Sequence, residues 1–197
     1  MSTAHALPSA PPLQRPRVLM IGTAFMAAAS IMVILGMLGV YLAQRADVLS
    51  AGSTWLPTGT TIPLQQPNTM MITLIMTVIT MQWAVNAISR NDRGHAYMAL
   101  GLTLVLGAAT IVMTSYLFSL MKLDISKGIQ GVLIYSITGA HLLMLIVAMI
   151  FVALMAFRAL GGQFAARQHD GISAAALYWD AMVAVYFILW ISIYITK

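Results

Sequence analysis

The chain has 197 residues, of which 60% are hydrophobic and only 8% are charged, and its mean hydropathy is +0.89. A soluble domain needs more polar surface than this, so the composition excludes a soluble globular protein and indicates an integral membrane protein. The chain contains no cysteine and no glutamate, which excludes disulfides, thiolate metal sites and cysteine nucleophiles. The net charge of +5 is spread over loops and termini. That distribution suits anionic lipid headgroups better than nucleic acid.

Residues 1–17 read MSTAHALPSAPPLQRPR and are polar and rich in proline. A cleavable signal would instead follow its charged start with a short apolar run and a small-residue cleavage site. We therefore expect a loosely ordered N-terminal tail over residues 1–17 and one membrane domain over residues 18–197.

A membrane-spanning helix needs about 20 mostly apolar residues. Five segments meet this requirement, at about residues 18–43, 69–89, 95–121, 128–157 and 173–195. The sequence thus predicts an all-α fold, a polytopic bundle of five transmembrane helices. Short polar turns separate the second segment from the third and the third from the fourth, so both pairs should form antiparallel hairpins.

Basic residues predict that the N-terminus is inside and the C-terminus outside, because positive charge accumulates on the cytoplasmic side. The long connection over residues 46–68 would then lie outside, where Trp55 could anchor at the membrane interface. With this orientation the inside set is Arg15, Arg17, Arg90, Arg93, Arg158 and Arg167, and the outside set is Arg45, Lys122, Lys127 and Lys197.

Polar residues within the second and fourth segments are few. Gln82 and Asn86 lie four residues apart on one helix face, where they could bond to a neighbouring helix or line a substrate path. His141 lies near the middle of the fourth segment, and Met144 follows it by one turn. Histidine and methionine together can ligate haem or copper. A neutral histidine bonded to an adjacent helix is the preferred interpretation, because the other histidines lie in the tail or at helix ends.

Asp180 lies in the last apolar segment, seven residues after Ser173. That separation corresponds to about 10 Å along a helix and predicts a position near the headgroup boundary. Two interpretations remain open there. Asp180 could pair with Arg158 or Arg167, or it could have an inter-subunit or proton-related role.

The segments contain no nucleophile–base pair, phosphate loop or zinc spacing, which favours a non-catalytic membrane subunit or a small transporter. A transporter should show a polar pathway or broken helices with paired charges, and the small number of embedded polar groups argues against one.

The motifs and their order resemble those of cytochrome c oxidase subunit III. TGAH, from Thr138 to His141, and YWD, from Tyr178 to Asp180, resemble the family's last two helices, where the pattern is close to TGxHxxHV and then YWHFVDxVW. The resemblance covers about residues 16–197, and the helix count agrees with the five-helix bacterial form. Further upstream matches are Gly22-Thr23, the GxxxxY run from Gly36 to Tyr41, the following Arg45, Trp55 with Pro57, Pro67-Asn68 and the turn from Arg90 to Gly94.

The sequence departs from the family pattern wherever the family has an embedded acid. Ser30 takes the place of the glutamate of the family's first helix, and Leu117 replaces the acid that follows Tyr116. Met144 replaces the second histidine of TGxHxxHV, and Val183 replaces the later aspartate of the last helix. Asp180 is new. The chain therefore resembles a divergent, subunit-III-like protein, in which a direct part in proton uptake is in doubt.

The resemblance implies a non-catalytic accessory subunit of a respiratory haem-copper oxidase in a bacterial cytoplasmic membrane. Such a subunit packs against catalytic subunit I (and II) and holds phospholipid in a cleft beside its first two helices. It binds no haem or metal itself, since haem and copper belong to the partner subunits. A subunit-III-like protein of a nitric oxide reductase is an alternative. No catalytic residue is predicted, and the candidate structural, partner or lipid contacts are Thr138, Gly139, His141, Tyr178, Trp179, Asp180, Tyr116, Gln82, Asn86, Arg158 and Arg167.

Overall fold

The structure is a computed structural model that describes residues 17–57, 60–121, 123, 125, 128–164 and 169–196. Five helices in this part of the chain are long and apolar enough to cross a membrane, which confirms the predicted all-α fold. Residues 1–16 of the predicted tail lie outside the described residues. The helices are α1 (Val18–Ser50), α2 (Gln65–Ser89), α3 (Arg93–Met121), α4 (Ile129–Leu160) and α5 (Asp170–Leu189), and α5 continues as a π-helical turn (Trp190–Ile195).

Helix α1 is seven residues longer than predicted, because the charge at Arg45 ends the apolar stretch but not the hydrogen-bonded helix. The helix ends instead at Ser50, two residues before Gly52, whose φ of 75° lies in the left-handed region that glycine adopts without strain. The Gly52 amide bonds to the Leu49 carbonyl, and the Ser53 amide bonds to the Val48 carbonyl. These two bonds satisfy the last carbonyls of the helix in the manner of a Schellman motif.

The turn between α2 and α3 combines a helix end with a helix start. Asn91, with a φ of 59°, takes the left-handed position after α2, and the Asp92 amide reaches back to the Ala87 carbonyl. The Asp92 carboxylate then accepts the backbone N–H of His95 at 3.2 Å, as an N-cap residue does. This bond is the main reason that the pKa of Asp92 lies below its usual value. The predicted α2–α3 hairpin is present, because the two helices pack along each other.

Helix α5 is at the centre of the packing, since it contacts α1, α2 and α4 and its most apolar window, 61% buried, is the most buried of the five. The other neighbouring pairs are α2 with α3, α3 with α4, and α1 with α4. Helices α1 and α2 are therefore both neighbours of α5 without packing extensively on each other. One strip of α5 is left facing outward in the opening between them.

The loop between α1 and α2 folds back onto the bundle. Trp55 is only 3% exposed and packs edge to face on Tyr41 of α1, with ring centroids 5.3 Å apart. The expectation that Trp55 anchors at the membrane interface is therefore wrong for this structure. A tryptophan in a loop can be covered by its own chain, and the sequence does not distinguish that outcome from exposure to lipid.

Candidate functional site: the contact network of helix α5

The motif of Tyr178, Trp179 and Asp180 lies where α5 meets its neighbours. The Tyr178 hydroxyl is 3.1 Å from the Ser30 hydroxyl of α1, and both side chains are buried. Ser30 is the position where the resemblance predicted a lost glutamate. The position has kept a polar contact although it has lost its charge.

Trp179 connects α5 to α2 and α3. Its indole N–H donates to the Thr77 hydroxyl of α2 at 2.9 Å, and the side chain has no exposed surface. Gly107 of α3 accommodates the ring, because a Cβ at that position would lie 2.7 Å from Trp179 Cη2. A glycine at such a contact lets two membrane helices approach closely.

Asp180 lies further from the start of its helix than the sequence predicted. Helix α5 begins three residues earlier than predicted, so Asp180 follows the helix start at Asp170 by about 15 Å. Its Oδ2 accepts the side-chain N–H of Gln82 from α2 at 2.5 Å. Its Oδ1 is buried and has no hydrogen-bond partner in the described part of the chain. Among the described residues, no lysine or arginine nitrogen is within 4.0 Å of this carboxyl.

The predicted pairing of Asp180 with Arg158 is wrong. The Arg158 guanidinium donates through Nε to the side chain of Gln163 at 2.8 Å and lies over the Phe164 ring, 5.6 Å from its centroid. Arg158 is in the last turn of α4, near the surface, while Asp180 lies deeper beside α2. Arg167, the other expected partner, lies outside the described residues.

His141 connects α4 to the network. Its Nε2 is 3.0 Å from the Met182 carbonyl of α5, and its ring lies beside Tyr186 with centroids 5.5 Å apart. Because a carbonyl can only accept, Nε2 is the protonated nitrogen of this contact. Tyr186 in turn donates its hydroxyl to the Pro67 carbonyl of α2 at 3.0 Å. His141 is thus a buried tie between helices in this structure.

A small cavity lies beside His141, between α2, α3, α4, α5 and the π-helical turn. Its volume of about 10 Å³ is close to what one water molecule requires. Polar groups from three helices and the turn line it, namely Thr114, Thr138, His141, Tyr186 and Tyr194. The Thr138 hydroxyl is already used, because it donates to the Ile134 carbonyl of its own helix at 2.6 Å.

The remaining predicted residues do not join the network. Gly139 has open space where a Cβ would lie, Tyr116 points outward from α3 with 56% exposure, and Asn86 is exposed on α2. Two partners that sequence reasoning missed, Thr77 and Met182, contribute a hydroxyl and a backbone carbonyl. Threonine is common in membrane helices and every residue has a carbonyl, so neither leaves a specific signal in the sequence.

The fold and this site define a class of protein: a polytopic helical membrane protein whose polar groups join its own helices. Across the described part of the chain, no three histidine or acidic side chains gather as a metal ion would require. Among described residues, Asp92 and His95 form the one close acid–base pair, and it lies in a surface turn.

The chain belongs to the cytochrome c oxidase subunit III family, whose model matches residues 14–197. It is 30% identical over 156 residues to cytochrome c oxidase subunit 3 of Bos mutus grunniens and of Sus scrofa, an alignment that covers 78% of this chain and 60% of each relative. The Rattus norvegicus protein of the same name is 31% identical over 145 residues, 73% of this chain and 56% of that protein. The chain thus spans about three fifths of the length of these curated relatives.

Proposed function

We propose that this protein is a non-catalytic accessory subunit of a respiratory haem-copper oxidase in a bacterial cytoplasmic membrane. The observation that carries the proposal is the family match, which runs from residue 14 to residue 197 and includes all five helices. In this proposal the subunit packs against the catalytic subunit, and partner chains hold the haem and copper.

The contact network supports a structural role. Its hydroxyl, indole and imidazole groups are engaged with other helices of the same chain, as Ser30, Thr77 and His141 illustrate. Groups used in this way stabilise the arrangement of the helices and are not free to perform acid–base chemistry on a substrate.

Phospholipid binding is part of the same proposal. Helix α1 turns large apolar side chains outward, with Phe25 72% and Met32 74% exposed. In a membrane this surface faces lipid tails or another subunit, and either contact favours apolar side chains.

The proposal is tested by purifying an affinity-tagged chain from native membranes in a mild detergent. We expect a large complex that shows haem absorption bands, with catalytic subunits identified by mass spectrometry. Oxygen or nitric oxide consumption by the complex then distinguishes an oxidase from a nitric oxide reductase. Recovery of the chain alone, or only as a homo-oligomer, would contradict an accessory role.

A further inference from the structure

A polar patch lies on the outer face of the bundle, at a depth where lipid tails would otherwise surround it. Gln82 of α2 precedes the helix end at Ser89 by seven residues, or about 10 Å, and Asp180 lies about 15 Å from the start of α5. The headgroup layers together account for only about 10–15 Å of the bilayer thickness. With the ends of α2 and α5 at the membrane surface, both residues lie below the headgroup layer on their side of the membrane.

The patch is partly accessible from outside the chain, although Asp180 Oδ1 itself is buried. Gln82 is exposed, Asp180 is half-buried, and Asn86 is exposed one turn further along α2. They lie beside the outward strip of α5, which contains Leu177, Ala184 and Phe187. We call these residues the α2–α5 surface: Gln82, Asn86, Leu177, Asp180, Ala184 and Phe187.

The charge of Asp180 is not balanced by the described part of the chain. Gln82 supplies one neutral donor to Oδ2, Oδ1 has none, and no described basic side chain forms an ion pair with the carboxylate. An ionised carboxylate at this depth is stable only when an opposite charge or several donors accompany it, and without them the group takes up a proton. Lipid tails offer neither, and a headgroup amine would have to leave its own layer to reach the patch.

We propose that the α2–α5 surface docks a transmembrane helix of another subunit, which presents an arginine or lysine to the Asp180–Gln82 pair. The complementary charge identifies the occupant as a basic side chain. Ala184, one turn from Asp180, provides a small residue over which the backbone of the partner helix can approach closely. The exposed Phe187 then packs beside the approaching helix.

This inference rests on the proposed function, because the partner is a subunit of the same complex. The natural absence of cysteine makes site-specific crosslinking direct. Leu177→Cys and Ala184→Cys place a benzophenone maleimide on the surface. Val105→Cys on α3 and Ile150→Cys on α4 are outward-facing controls at similar depth, 66% and 53% exposed. After irradiation in native membranes, mass spectrometry identifies each adduct.

We expect adducts to another polypeptide from the two α5 positions, at peptides that contain an arginine or lysine within a membrane helix. Adducts only to lipid, only to a second copy of this chain, or to helices without a basic residue would overturn the proposal. Partner adducts from the control positions alone would place the interface elsewhere and leave the accessory function intact. An absence of any partner in the purified sample would refute the accessory function itself.

A second measurement isolates the charge. Asp180→Asn keeps an acceptor for Gln82 and should reduce recovery of the partner in detergent by up to about tenfold, near the upper end for one polar contact between membrane helices. The matched control is Asp170→Asn, which removes an exposed carboxylate from the start of the same helix. Both variants should reach the membrane at the same level and melt alike when isolated. Equal recovery of the partner with the two variants would contradict charge pairing at Asp180.

Discussion

Helices α1 and α5 show how one membrane protein uses two apolar segments for opposite purposes. The most apolar window of α1 has a mean hydropathy of 2.4 and is 17% buried, whereas that of α5 has a mean hydropathy of 1.7 and is 61% buried. The less apolar helix is therefore the more buried one, the reverse of the trend in soluble proteins. Lipid favours an apolar helix outside, while polar groups need partners and so lie inside.

The largest test of this comparison removes the central side chain of α5. Trp179→Ala should lower the free energy of unfolding by about 3–5 kcal/mol, because it leaves a cavity and takes away the partner of Thr77. Thermal or detergent-induced unfolding of the purified protein measures the change. Trp83→Ala, at an α2 tryptophan that is 39% exposed, is the matched control and should change stability by less than about 1 kcal/mol. Similar losses in both variants would show that α5 is not the packing centre.

The second test fills the space that α3 leaves for Trp179. Gly107→Ala should destabilise the protein by about 1–3 kcal/mol, because the new methyl group would overlap the indole ring. Gly101→Ala on the same helix has open space and should be neutral or stabilising by up to about 1 kcal/mol, through its helix propensity. The same unfolding assay measures the stability of both variants. Equal effects of the two substitutions would contradict the close approach of α3 to α5.

The third test measures the polar contact that joins the two compared helices. A double-mutant cycle with Ser30→Ala and Tyr178→Phe should give a coupling energy of about 0.6 kcal/mol, the usual size for a hydrogen bond between membrane helices. Ser115→Ala combined with Tyr178→Phe is the control and should be additive, since within the described part of the chain Ser115 bonds only to a carbonyl of its own helix. Additivity in both cycles would indicate that the hydroxyl contact adds nothing to the α1–α5 packing.

The smallest predicted effect is the contribution of Asp92 to the stability of the α2–α3 turn, which lies outside the compared helices α1 and α5. Its pKa should be below the usual 3.8, mainly because the backbone N–H of His95 bonds to the ionised form. Because the pKa of Asp92 is lower in the folded state than in the unfolded state, the ionised carboxylate stabilises the turn at pH values above the usual pKa. This stabilisation is lost as the pH falls through the folded-state pKa.

Carbon-13 labelling of aspartate can follow this titration, because the chain has only five acidic residues and all are aspartates. The variant His95→Ala keeps the backbone N–H and should therefore keep most of the shift. A return of the Asp92 pKa to the usual value in that variant would instead assign the shift to the imidazole.

The sequence predicted the number and order of the five helices because apolar length is a local property. It also indicated the family, since TGAH and YWD keep their order along the last two helices. The end of α1 was misplaced by seven residues, because the termination of an apolar run and the termination of a helix have different causes. Gly52, with its left-handed backbone, was the signal that marks the true end.

The partners of the polar side chains could not be read from the sequence in the same way. Membrane side and charge offered Arg158 or Arg167 as a partner for Asp180, and an inter-subunit or proton-related role stayed open, yet the fold placed Gln82 next to it. Which side chains meet depends on how each helix is rotated about its axis and on where a small residue such as Gly107 permits close contact. Hydropathy by itself thus determined that five helices cross the membrane. Only the packing of those helices decided that α5 lies at their centre, because that position depends on complementary shapes and hydrogen-bond partners distant in the chain.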